Sequence, residues 1–205
     1  MTPPAVPKVC AIVLAAGASK RFGSCKQLAM LGGETLIRRA VSAASDTLGS
    51  DFRLVLGAHA AQIVTTLELP PGHILMNPDW AEGIASSIRV GIAQVPSDCA
   101  AALLLLADQP YVTQRSLGPL IGAWRSAPEM IVASRYGLLT GAPCLFPRWS
   151  FPALLGLRGD SGARTLMERH AARTLTVAHP EAAMDIDRPE ELAACAANTP
   201  YPRPP

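Results

Sequence analysis

Aromatic residues make up 5% of this 205-residue chain and charged residues 17%. The 18 basic residues nearly cancel the 16 acidic ones, leaving a net charge of +2. That balance gives no electrostatic case for a nucleic-acid partner, so any anion must be bound locally. Long hydrophobic runs are missing as well. The longest purely apolar stretch, Cys99 to Ala107, has nine residues, against about 20 for a bilayer-spanning helix. No membrane partner is expected, and the run reads as a fully buried strand. The five cysteines are scattered without a Cys-x-x-Cys pair, which argues for reduced thiols in the cytoplasm rather than a disulfide framework or a zinc site. The first residues lack the basic segment and apolar stretch of a signal peptide.

What is there is apolar and patterned. A hydrophobic share of 49% excludes a disordered chain, and the length suits one domain with a real core. Proline-rich ends predict tails at 1–8 and 198–205 around a domain at 9–197. Strands are expected at Val9–Leu14, Phe52–Leu56, His73–Met76, Ala101–Leu106 and Met130–Ser134. Helices are expected at Glu34–Ala44, Ala60–Leu67, Ala85–Val95 and from a Thr113 cap to Ser126. This alternation predicts an α/β fold with a parallel sheet covered by helices on both faces. After residue 134 the rhythm changes: a proline-bearing strand at Gly141–Phe146, a helix at Gly162–His170, a strand at Thr174–Val177 and a last helix opened by Pro189. This final third is expected to complete the sheet and wall a cleft beyond the carboxyl ends of the strands.

Several polar clusters fall where such a cleft would form. Leu14 to Gln27 follows a buried strand, with small residues at 15–18 and the cations Lys20, Arg21 and Lys26. Small residues let the backbone approach an anion with its N–H groups, so this is a phosphate-binding layout or else a solvated loop. It is neither a Walker A loop nor a Gly-x-Gly-x-x-Gly fingerprint. Asp108-Gln109-Pro110 ends the most buried strand. It is either a turn or a carboxylate for Mg²⁺, which takes one or two carboxylates with phosphates and waters. In Asn77 to Ile88, Ser86 and Ser87 either read a base or phosphate or simply cap a helix. In Gly159 to Arg164, N–H groups and Arg164 bind a second anion, or Asp160 or Ser161 caps a helix. Asp187 either caps the final helix or joins Asp108 on the metal, with Asp185 as the fallback. The four histidines are dispersed and form no nucleophile–base pair.

The Leu14–Lys26 segment resembles the Leu-Ala-Ala-Gly-x-Ser-x-Arg-x-Gly-x-x-Lys signature of the MobA-like nucleotidyltransferases. The match continues through Asn77-Pro78-x-Trp80-x-x-Gly83-x-x-Ser86-Ser87, Ala107-Asp108-Gln109-Pro110, Gly141-x-Pro143, Gly159-Asp160-x-Gly162-Ala163-Arg164 and Asp185-Ile186-Asp187-x-Pro189-Glu190. The combination looks most like the molybdenum cofactor cytidylyltransferase branch. Two positions depart from the pattern: Phe22 stands where Met is frequent, and Ala142 where many cytidylyltransferases carry His. The second bears on the acceptor.

The resemblance implies a Rossmann-like nucleotidyltransferase fold and transfer of CMP from CTP to the phosphate of molybdopterin, with Mg²⁺ as cofactor. Residues 9–134 would bind nucleotide and 135–197 the acceptor. Arg21, Lys26 and Asp108 would be catalytic, and Asp108 with Asp187 would hold metal. Leu14, Ala15, Ala16, Gly17, Ser86 and Ser87 would bind the nucleotide; Gly141, Pro143, Asp160 and Arg164 would bind the acceptor. A molybdoenzyme or chaperone would receive the product. Rival readings are a transferase with another NTP or acceptor, a non-catalytic cofactor chaperone, and an NAD-dependent oxidoreductase. The chaperone is disfavoured by the presence of Lys26, Asp108 and Asp187 together, and the oxidoreductase by the missing fingerprint.

Overall fold

In a computed structural model of the chain, residues 6–197 are described. Most of the expected N-terminal tail and all of the expected C-terminal tail lie outside that range. The elements in chain order are β1 (Lys8–Ala15), β2 (Met30–Leu31), β3 (Glu34–Thr35), α1 (Leu36–Leu48), β4 (Phe52–Leu56), α2 (Ala60–Val64), β5 (Ile74–Met76) and α3 (Ile84–Ala93). They continue with β6 (Cys99–Leu106), α4 (Gln114–Ser126), β7 (Ile131–Tyr136), β8 (Leu139–Pro147), α5 (Phe151–Leu155), α6 (Arg164–Arg169), β9 (Thr174–Ala178) and α7 (Pro189–Ala197).

Seven strands form one sheet in the order β5-β4-β1-β6-β8-β7-β9. It is mostly parallel, as the alternation predicts; β8 alone runs antiparallel to both its neighbours. Pro143 cannot donate to a ladder, and the β7–β8 register slips where it sits, from Ala133↔Cys144 to Ser134↔Gly141. The Pro143 carbonyl instead accepts the Ser134 hydroxyl at 2.7 Å.

The period-two alternation of β1 divides the core. Val9, Ala11, Val13 and Ala15 face one apolar layer under α1 and α4, where Trp124 is fully buried. Cys10, Ile12 and Leu14 face a second layer with Ile88, Leu154, Ala163 and Leu166. Both faces of the strand are dry, the pattern expected of a parallel sheet covered on each side. Gly91 lets α3 lie close against the sheet, because a Cβ there would collide with Ile12 Cγ2.

Boundaries differ from expectation where capping decides them. The first helix starts at Leu36 because Thr35 Oγ1 accepts from Arg38 N. Thr113 caps α4 as expected, in a reciprocal box with Ser116. Asp187 does not cap α7: Glu191 Oε2 accepts from the N–H groups of Asp187 and Arg188 at 2.7 and 2.9 Å, and the Asp187 carboxylate faces the cleft instead. Nor do Asp160 or Ser161 cap α6, whose cap residue is Ala163 without a side-chain bond. Among the described residues no helix is long and apolar enough to cross a membrane.

Candidate active site

The carboxyl ends of β1 and β6 open into a cleft of about 580 Å³. It is lined by Leu14 to Arg21, Lys26, Gln27, Trp80, Gly83, Ser87, Asp108, Asp160 and Asp187, among others. Five stretches distant in sequence therefore meet at the site expected for an open α/β sheet.

The loop after β1 owes its shape to Gln27, a residue whose role its tertiary contacts reveal. Gln27 is buried, and its Nε2 donates to the carbonyls of Ala15 and Gly17 at 3.3 and 3.1 Å. Its Oε1 accepts from Ser19 Oγ and Cys25 Sγ. One amide thus folds both ends of the loop together, with Ser19 in a left-handed turn at φ 53°. The signal was present: a polar amide directly after the last cation of a small-residue loop.

The fold brings Lys26 to the acidic residues. Lys26 Nζ lies 2.6 Å from Asp108 Oδ2 and 2.8 Å from Asp187 Oδ1. Arg21 takes the other Asp187 oxygen at 2.7 Å. Burial works against the Lys26 ammonium, but the two carboxylates outweigh it and hold its pKa above the usual lysine range. Asp187 is opposed by burial too, yet its bonds to Lys26 and the nearby Arg21 charge hold its carboxyl below the usual value. Asp185 goes the other way, to about 6, chiefly through burial and then through the neighbouring Asp108 charge.

Asp108 Oδ1 is buried and makes no hydrogen bond. A hard carboxylate oxygen left unpaired, with a second carboxylate one ammonium away, suits a divalent cation. Among the described residues no group of three or more His, Cys, Asp or Glu could hold a metal by itself. Substrate oxygens and water would have to complete the shell, the usual arrangement for Mg²⁺ on phosphates.

Asn77 organises the second loop. Its Nδ2 donates to Ser86 Oγ at 2.8 Å and Ser87 Oγ at 3.0 Å, while its Oδ1 accepts from Asp79 N. Ser86 Oγ in turn donates to the Gly83 carbonyl. Ser86 is therefore spent on structure and sealed at 1% exposure, whereas Ser87 lines the cleft. Of the residues expected at the acceptor, only Asp160 lines it. Arg164 turns outward to Glu168 at 3.1 Å. Gly141 underlies the Tyr136 hydroxyl, which a Cβ would strike. Pro143 is engaged by Ser134.

The MobA-like NTP transferase domain family matches residues 11–174. Nicotine blue oxidoreductase of Paenarthrobacter nicotinovorans is 31% identical over 80% of this chain and 83% of its own length. Purine catabolism protein PucB of Bacillus subtilis is 29% identical over 90% and 94%. The molybdenum cofactor guanylyltransferase of Sinorhizobium fredii is 29% identical over 86% and 78%. Among solved structures, Rv0371c of Mycobacterium tuberculosis superposes with a TM-score of 0.80 at 27% identity, over 94% of this chain and all of that one. A manganese complex of the same protein gives 0.76 at 26% identity over the same shares. With the sheet order, the small-residue loop and the matched span in agreement, the chain belongs to the MobA-like NTP transferase family, nucleotidyltransferases related to those of molybdenum cofactor biosynthesis.

Proposed function

We propose that the protein transfers CMP from CTP to the terminal phosphate of molybdopterin and releases pyrophosphate. The observation that carries this reading is the ion cluster in the cleft: Lys26 bridging Asp108 and Asp187, with Arg21 beside them and the small-residue loop around them. An acceptor phosphate oxygen attacks the α-phosphate, a new P–O–P bond forms, and the bond to the β-phosphate breaks. Both reactants are polyanions, so the cleft must neutralise charge and align them. An acceptor phosphate is already ionised at neutral pH, which agrees with a cleft lined by no histidine among the described residues.

The backbone N–H groups of residues 16–19 and the Arg21 and Lys26 side chains would hold the triphosphate, and Lys26 and Arg21 would stabilise the charge growing on the departing pyrophosphate. Leu14 to Gly17 and Ser87 would border the base. Asp108 and Asp187 would hold a divalent cation, Mg²⁺ in this reading, whose role when bound is to neutralise phosphate charge. Asp160 would face the acceptor. A molybdoenzyme or its chaperone would take the product onward in the cytoplasm.

The test is pyrophosphate release with purified molybdopterin and each of the four NTPs separately. Turnover with CTP at least about tenfold better than GTP in kcat/KM is expected, a margin within reach of pocket shape plus one unmet hydrogen bond. Turnover favouring GTP would replace the cytidylyl assignment, and none with any NTP would remove the molybdopterin assignment. One observation favours a second reading: the 31% identical relative is named an oxidoreductase. Loss of NADH or NADPH absorbance with an electron acceptor, in place of pyrophosphate release, would establish it.

A further inference from the structure

The segment between Leu157 and Ala163 is anchored at both ends by those two buried residues. Between them it meets the rest of the molecule through a compact set of bonds from residues 82–89. Glu82 and Arg89 form a double ion pair, Arg89 Nη1 to Glu82 Oε1 at 2.8 Å and Nη2 to Oε2 at 2.5 Å. Each partner also grips the segment: Arg89 Nη1 donates to the Leu157 carbonyl at 2.9 Å, and Glu82 Oε1 accepts from Gly159 N at 3.1 Å. Ala85 N donates to the Gly159 carbonyl at 3.1 Å. Gly83 makes the close approach feasible. It sits at φ +120°, and a Cβ there would lie 2.5 Å from the Gly159 carbonyl oxygen and would overlap Asp160 Oδ1.

We propose that Glu82 and Arg89 are positioning residues: their ion pair latches the 157–160 segment against Gly83 and thereby fixes the Asp160 carboxylate in the wall of the cleft. The role assigned to Asp160 rests on the proposed function. A carboxylate repels phosphates, so in a cleft built for polyanions its use is to accept from N–H groups, such as those on the pyrimidinone edge of a pterin. Neither Glu82 nor Arg89 lines the cleft, so both act through Asp160. A partly exposed ion pair adds little to global stability, while three bonds on one short segment constrain its position strongly. Hydrogen bonds from Arg89 and from Gly159 N hold the Glu82 carboxyl down at about 2, which keeps the latch closed across the physiological pH range.

The experiment uses the full chain with Glu82→Gln and Arg89→Lys, and has two arms. Trypsin cleavage after Arg158, an exposed residue inside the latched segment, is mapped by mass spectrometry. It should accelerate in both variants while the thermal midpoint barely moves; an unchanged cleavage rate overturns the latch whatever the reaction proves to be. In the kinetic arm, acceptor KM should rise about tenfold in Glu82→Gln with nucleotide KM held within about twofold, as for misplacement of one contact. Adding Glu82→Gln to Asp160→Asn should raise acceptor KM no further. Equal rises in both KM values, or additivity with Asp160→Asn, would overturn the positioning role. A parent that turns over no acceptor would remove the proposed function and with it the role of Asp160, while the cleavage arm still decides the latch.

Discussion

Lys26 Nζ lies 2.6 Å from Asp108 Oδ2, joining residues that are 82 positions apart in the chain. The same ammonium reaches Asp187 at 2.8 Å, another 79 residues on from Asp108. One cation thus holds the ends of three loops together, occupying carboxylate oxygens that a metal would also use.

Lys26→Ala should therefore have two separable effects. Turnover should fall roughly a hundredfold, the usual cost of a lost transition-state contact of about 3 kcal/mol. Without nucleotide, divalent-cation binding measured by calorimetry should tighten, because ammonium and dication compete for the same oxygens. Near-normal turnover in the folded variant would remove Lys26 from the catalytic group.

Asp108→Asn keeps size while exchanging a charged oxygen for an amide. Activity should drop steeply, and the Mg²⁺ concentration for half-maximal rate should rise. Asp187→Asn should behave in the same way but more mildly, since one of its oxygens already serves Arg21. An Asp108→Asn protein that titrates with Mg²⁺ like the parent would mark Asp108 as a turn residue only.

Much of this arrangement was legible in the sequence because it depends on local signals. Continuous apolar runs at Val9 to Leu14 and Ala101 to Leu106 announced the central strands, and the small-residue loop fell where the cleft opens. Thr113 announced its cap. The antiparallel placement of β8 was not readable, since strand direction in a sheet follows from tertiary pairing and not from periodicity. Nor was the division of labour between Ser86 and Ser87. Adjacent hydroxyls look alike in sequence, and only the Asn77 amide and the Gly83 carbonyl decide which one is sealed. Arg164 likewise reads as an anion ligand until α6 turns it toward Glu168.

Ala16 tests the choice of base. It directly follows β1, lines the cleft, and packs so closely beside Gly57 that a Cβ on that glycine would lie 2.9 Å from the Ala16 methyl. Family members that use GTP resemble Leu-Ala-Gly-Gly at this point. Under the proposed cytidylyl transfer, Ala16→Gly should narrow the CTP preference over GTP without abolishing CTP use, because it opens space and removes no proposed cytosine contact. The expected change is about 1–3 kcal/mol in relative kcat/KM, the worth of one methylene-sized difference. An unchanged ratio would move base selection elsewhere in the cleft.

His179 gives the protein an acid-sensitive point away from the cleft. Its ring is 1% exposed and Nδ1 lies 2.7 Å from Ser134 Oγ. Ser134 already donates to the Pro143 carbonyl, so Nδ1 carries the proton and Nε2 is the bare nitrogen, buried without a partner. Protonating Nε2 would create a buried charge and an unsatisfied donor, and burial accordingly holds the His179 pKa below the usual value of 6.5 despite the nearby Glu181. Above that value both folded and unfolded chains hold a neutral ring and the group contributes nothing to the pH dependence. As pH falls through about 6.5, the unfolded chain takes up a proton that the folded chain refuses, and stability drops by up to about 1.4 kcal/mol per pH unit. His179→Asn keeps a donor near Ser134 and cannot titrate. Urea unfolding of parent and variant at about pH 7.5 and about pH 5.5 isolates the effect, because the other titrating groups are common to both proteins. The variant should lose less stability between the two conditions than the parent; parallel losses would show that His179 titrates alike in the folded and unfolded chains.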